Sequence, residues 1–232
     1  MEARRLAQEA VARDPTYAYA WRMLATTEGN IFGNPYNDEY GDPATARRAL
    51  DAAARAMQLA PTDGFAHSAY AVALYRNRQF EAADAEAVKA LALAPNDASV
   101  LNGVGIVLSN AQQYEQAEAL FRRSIALDPF SVIPVSGLGV AVYHQRRFTE
   151  AAPIFRDCMA RAPTNVICAA NLAAALGQLG LESEARAAAR ELERRSPGYT
   201  ITEAVRGQQA FWRNSVSTDH FVEGLRKAGV PE

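Results

Sequence analysis

Five prolines set the frame of this chain: Pro61, Pro95, Pro129, Pro163 and Pro197 stand 34 residues apart, and Pro15 precedes the first of them by 46, which is 34 plus 12. Each closes a helix-like run: ARDP, QLAP, LALAP, ALDP, ARAP and RRSP. Proline has no N–H to give and its ring clashes with the preceding turn, so a regular proline period marks where helices stop. A period of this length belongs to stacked helix hairpins, none of which can bury its apolar face alone. Chain length therefore says little about domain count.

Aligned on the prolines, alanine stands twelve residues before every one: Ala3, Ala49, Ala83, Ala117, Ala151 and Ala185. Ten residues after the first five stands a small residue, Ala25, Ala71, Gly105, Gly139 or Ala173, each preceded by Leu24, Tyr70, Val104, Leu138 or Leu172. Small residues at fixed places let helices approach closely while their larger neighbours fill the seam.

On these positions, and on Tyr114, Phe121, Phe148 and Phe155 at its aromatic sites, the sequence resembles the tetratricopeptide repeat family over roughly residues 1–197. It departs from the pattern at His67 and Ala169, where a bulky residue is usual, and at Leu192, where a small one is. The resemblance implies an all-α fold, a right-handed superhelical solenoid with a C-terminal pair of capping helices. The expected division is a half repeat at 1–15, repeats at 16–61, 62–95, 96–129, 130–163 and 164–197, and a cap at 198–232.

The period slips in two places. An insertion at about 30–42 lies within NIFGNPYNDEYGDP, where Asp42 before Pro43 reads as an N-cap. Asn34, Asn37, Asp38, Glu39 and Asp42 crowd there with Phe32, Tyr36 and Tyr40, but their spacing fails the calcium-loop pattern. An extended turn laying aromatics over neighbouring helices is the favoured expectation. At the start, residues 2–14 fit the second helix of a repeat whose first helix is missing, so the chain is expected to be a fragment of a longer protein.

After Pro197 the period is gone. Two helices are expected, about 201–212 and 217–228. In the second, Phe221, Val222, Leu225 and Ala228 share one face, Ser217 or Thr218 caps the start, and Gly229 with Pro231 stops it. They read first as a lid on the last repeat and second as a peptide offered to a partner. The wording EGLRKAGVPE also resembles the ending of bacterial proteins in which such repeats follow a class III nucleotide cyclase or a winged-helix regulator domain.

Little chemistry is legible. With 24 Lys and Arg against 26 Asp and Glu, no positive field draws phosphates, so nucleic acid is set aside. No apolar run is long enough to insert in a membrane, and the charged N-terminus lacks a secretory pattern, so a cytoplasmic protein is expected. Cys158 and Cys168 read as reduced packing residues in that setting. His67, His144 and His220 fall far apart in sequence, SGLG at Ser136–Gly139 lacks the leading glycine of a nucleophile elbow, and Arg47/Arg48, Arg122/Arg123 and Arg146/Arg147 read as solvated surface. No catalytic residue, cofactor or metal is assigned.

Binding is expected on the concave groove that the family builds from its first helices. Helical spacing places Tyr19, Arg22, Phe65, Ser68, Val72, Tyr75, Arg76, Asn102, Ile106, Asn110, Ser136, Val140, Tyr143 and His144 there, with Ile167, Ala170, Ala174 and Gln178 in the last repeat. Only Arg22 and Arg76 are charged, and no carboxylate is expected to face the groove. Of the Lys, Asn and Arg with which chaperone-binding relatives hold a terminal carboxylate, the chain keeps little beyond Asn102. A peptide with apolar anchors and acidic flanks is the partner this surface suits. Two roles compete: a protein-recruiting scaffold, or a regulatory or dimerising region of a larger signalling protein.

Overall fold

Helix starts follow from the residues beside the prolines. Two residues after Pro61, Pro95 and Pro163 stand Asp63, Asp97 and Asn165, whose side-chain oxygens accept from Phe65 N, from Ser99 N and Val100 N, and from Cys168 N, at 2.8–3.0 Å. Asp42 does the same for Ala44 N and Thr45 N, with Pro43 opening the helix. Such caps satisfy amides that a helix N-terminus leaves bare, each worth about 1 kcal/mol.

The computed structural model describes residues 2–33, 38–211 and 218–232. Among the described residues the chain is all-helical: α1 (Glu2–Arg13), α2 (Ala18–Phe32), α3 (Pro43–Leu59), α4 (Gly64–Arg76), α5 (Phe80–Leu93), α6 (Ala98–Asn110), α7 (Tyr114–Leu127), α8 (Ile133–His144), α9 (Phe148–Arg161), α10 (Val166–Gln178), α11 (Glu182–Arg195), α12 (Ile201–Phe211) and α13 (Thr218–Ala228). They form two compact units, Met1–Val107 and Leu108–Glu232, with the boundary inside α6. In the first, α2 packs on α3 and α4 on α5; in the second, α8 packs on α9, α10 on α11, and α13 chiefly on α10.

The alanines of the period are the seams. Ala49, Ala83, Ala117, Ala151 and Ala185 are buried, while Ala3, on the first helix, is exposed. Opposite them, a Cβ on Gly139 would stand 2.5 Å from the Phe155 ring, and one on Gly137 equally close to Phe121, both rings fully buried. Two of the three departures from the pattern are absorbed differently. Ala169 is simply buried, whereas His67 donates from Nε2 to the Pro61 carbonyl at 2.9 Å and sets Nδ1 2.5 Å from the Glu86 carboxylate, so its polarity is satisfied inside the seam.

Turns within the hairpins repeat too. Arg78, Gln112, Arg146 and Gly180 all have φ between 60° and 70°. Behind them Gln79, Gln113, Arg147 and Leu181 donate to Leu74, Leu108, Val142 and Leu176 at 2.9–3.3 Å. This left-handed helix ending favours glycine, which only the last turn has.

The insertion returns to where it leaves: Gly41 N donates to the Phe32 carbonyl at 2.9 Å. Asn34, Tyr36 and Asn37 lie outside the described residues. Glu39 is a clasp. Its carboxylate accepts from Arg4 of α1 at 2.7 Å and from Thr45 Oγ1 of α3 at 2.6 Å, and pairs with Arg48. Arg4 and Arg48 also hold Glu28 of α2, which is almost wholly buried. Hydrogen bonds from Arg4, then Thr45, pull the Glu39 pKa down to about 2.

Candidate protein-interaction site

In the N-terminal unit the expected groove residues come from α2, α4 and the part of α6 within that unit. Tyr19 is 48% exposed and Arg22 lies between two rings, its guanidinium carbon 4.7 Å from the Tyr19 centroid and 4.3 Å from that of Phe65. Tyr17 stacks on Tyr19 at 5.8 Å, and Met23 is exposed beside them. Cation–π contact of this kind holds a guanidinium flat and leaves its edges for hydrogen bonding. One edge is taken: Arg22 Nη1 donates to Asp63 Oδ2 at 3.0 Å. The expectation that no carboxylate faces the groove is corrected here, because the residue that caps α4 also reaches Arg22.

Further along the same face, Phe65, Val72, Asn102 and Ile106 are half-buried, and the Asn102 Oδ1 has no hydrogen-bond partner. Ser68 is buried against Gly103. Tyr75 is 3% exposed, its ring tilted on Phe80 at 4.9 Å. Arg76 turns from the open face onto α2, its guanidinium 5.6 Å from the Phe32 centroid and tight against Gly29, where burial lowers its pKa to about 10.

In the C-terminal unit, Asn110, Ser136 and Val140 are half-buried and Ile133 and Ile167 exposed, but Tyr143 is fully buried and His144 nearly so. What buries them is α13. Tyr143 Oη donates to the His220 carbonyl at 3.1 Å, its ring stacks on the His220 ring at 5.1 Å, and Phe221 meets it edge-on at 6.1 Å. Nδ1 of His144 lies 3.1 Å from Nε2 of His220. From α10, Gln178 Nε2 donates to the same His220 carbonyl at 2.5 Å. Below, α13 crosses α10 with backbone against backbone: a Cβ on Gly224 would stand 2.5 Å from the Ala174 carbonyl oxygen. The last-repeat groove positions Ala174 and Gln178 are thus part of the seat of the chain's own final helix, and Ala170 is buried on the same helix.

Burial, then the neighbouring His220, holds His144 well below the ordinary imidazole range, and burial lowers His220 as well. Burial also raises the Tyr143 hydroxyl. Two of the three histidines expected to stay apart therefore meet, which linear spacing over so long a stretch of chain could not show. Among the described residues no cluster of three metal-ligating side chains occurs.

Two more expectations are corrected. Cys158 and Cys168 are not reduced: they form a disulfide joining α9 to α10, with Cα atoms 6.2 Å apart. Cys158 stands near the end of one helix and Cys168 near the start of the next, so the short turn between them brings the pair together, a geometry that an argument from compartment ignored. Arg48 and Arg147 are not free surface charges either. Arg48 braces Glu28, and Arg147 pairs with Glu118 at 2.7 Å and with Glu150 at 2.7 Å.

Residues 69–132 and 105–166 match the family model of the tetratricopeptide repeat. No curated relative matches the sequence. Among solved structures the fold is similar to that of PilF from Pseudomonas aeruginosa, with a TM-score of 0.63 at 20% identity over 90% of each chain. It is similar to YrrB, described as a TPR protein with an unusual peptide-binding site, with a TM-score of 0.55 at 14% identity over 88% of this chain and 97% of that one. A chain of the APC/C hetero-tetramer Cut9–Hcn1 gives 0.70 at 17% identity over 90% of this chain and 39% of its own. The fold is that of tetratricopeptide-repeat solenoids, and no helix among the described residues is long and apolar enough to cross a membrane.

Proposed function

We propose that the protein is an interaction scaffold that holds a segment of a partner protein on the groove face of its N-terminal unit, along Tyr19, Arg22, Phe65, Val72 and Ile106. The observation that carries this reading is the seating of α13 on the same face of the C-terminal unit, which supports a surface type suited to an amphipathic segment. On the N-terminal unit Tyr19 is exposed and Phe65 half-buried. Arg22, held flat between two rings, supplies polar recognition, and Tyr19 and Phe65 supply apolar area, the usual division at an interface. No catalytic, cofactor or metal role is part of the proposal.

A photo-crosslinker at Val72 tests it. Tyr19→Ala with Arg22→Ala is expected to weaken capture by ~2 kcal/mol, the scale of a hot-spot pair, with helicity unchanged. Undiminished labelling by that double variant would sink the reading.

The seating of α13 also favours a second reading. A face that takes a segment of its own chain suits a regulatory region of a larger signalling protein, acting on a neighbouring domain. Cross-links running within the full-length gene product, in place of cross-links to another protein, would select it. On location, the disulfide removes the free-thiol argument for the cytoplasm, and an oxidising compartment is where such a bond persists.

A further inference from the structure

The polar contacts that seat the start of α13 converge on one residue. Its carbonyl accepts from Tyr143 and Gln178, its ring stacks on Tyr143, and its Nε2 meets Nδ1 of His144. The rest of the seat is apolar: Phe221 and Leu225 are buried on either side of Gly224, which fits against Ala174 and Gly177. Groups facing the imidazole pair are Tyr114 of α7, stacked on His144 at 5.2 Å, Tyr143 of α8, Arg146 in the turn after it, and Asp219 and Glu223 of α13 itself. From α9 comes the Phe148 ring, and from α10 the neutral Gln178.

We propose that the α8–α10 face is an acid-gated receptor for an amphipathic helix: α13 fills it at neutral pH, and as pH falls a partner helix takes the seat, carrying α13's apolar pattern with a carboxylate in place of His220. One hydrogen bond between two neutral imidazoles needs one proton. Protonating both rings sets two N–H donors head to head and puts two cations at contact distance in a part-buried site that already holds Arg146, which is repulsive. Both rings titrate below the ordinary value while α13 is seated. Released, they take protons near pH 6.5, so the released state binds more protons and the seat weakens as pH falls through that value. A carboxylate in the place of His220 reverses the sign, since it attracts the His144 cation and Arg146. The proposal concerns the C-terminal unit and stands whether or not the N-terminal face binds a partner.

The test uses the full chain and a labelled peptide of residues 219–232 carrying His220→Glu, with binding read by fluorescence anisotropy and seating by the amide resonance of Gly224. At pH 5.5 the peptide is expected to bind at least about tenfold more tightly than at pH 7.5, one unit of pKa shift being a factor of ten. The Gly224 resonance should move to a released position over the same interval, while circular dichroism shows helicity retained. The peptide with native His220 should show no such gain, and His144→Gln in the full chain should flatten the pH dependence. A Gly224 resonance that stays put at pH 5.5, or equal pH dependence for the two peptides, would overturn the proposal.

Discussion

Tyr75–Arg76 at the end of α4 and Tyr143–His144 at the end of α8 occupy the same place in the repeat. Locally they are near copies. Tyr75 tilts on Phe80 at 4.9 Å and 59°, and Tyr143 on Phe148 at 5.1 Å and 55°. Beyond that ring pair they part: Arg76 folds onto the end of α2, whereas His144 meets a helix from the end of the chain. The repeat specifies contacts within a hairpin and its nearest seam, while what covers the seam is set by elements outside the period. Chemistry at the second residue of the pair suits each outcome. A guanidinium can lie on a ring and a helix C-terminus, and an imidazole can share a proton with another.

Tyr143→Ala breaks the comparison hardest. It removes a fully buried ring that also anchors α13, and an expected loss of about 3–5 kcal/mol in urea unfolding should come with displacement of the Gly224 resonance. Tyr75→Ala should cost a similar amount and leave Gly224 undisturbed. Displacement by both variants would mean that α13 is not seated by Tyr143. Next in size is the disulfide, which among the described residues has no counterpart in the N-terminal unit. Cys158→Ser with Cys168→Ser should lower stability by about 2–3 kcal/mol, a short closed loop being at the low end of such effects. Calorimetry should show the loss confined to the transition of the C-terminal unit.

Gly224→Ala is expected to cost about 1–3 kcal/mol, because its methyl would meet the Ala174 carbonyl and force α13 outward. Tyrosine absorbance at alkaline pH checks it, since Tyr143 should then ionise closer to its ordinary value. The smallest effect sharpens the likeness of the turns. Arg78→Gly and Arg146→Gly each relieve a left-handed backbone and should gain about 0.5–1 kcal/mol. The gain should be smaller for Arg78, whose guanidinium lies 5.2 Å from the Phe80 centroid.

The period made most of the helices and their seams legible, because proline, a cap two residues later and an alanine at a fixed offset act over a few residues each. The groove face was legible as a set of positions, since helical spacing places Ala174, Gln178 and Tyr143 on one side of their helices. What lies on them was not. The contact between His144 and His220 spans 76 residues and depends on where α13 comes to rest, which no periodicity encodes. The same holds for Glu39, whose role came from the folding back of the insertion onto α1 and α3. In the disulfide the signal was present, two cysteines flanking one short turn, and was overruled by an assumption about compartment.

The close approach of α10 at Ala174 and Gly177 to Gly224 of α13 turns the α8–α10 face into a gauge. Any helix that lies there must offer no side chain at the crossing, whatever else it carries. A binder is thereby selected by an atom it lacks, and a single methyl group is enough to disqualify a candidate. A helix without that gap fails the measure before charge or hydrophobicity is compared.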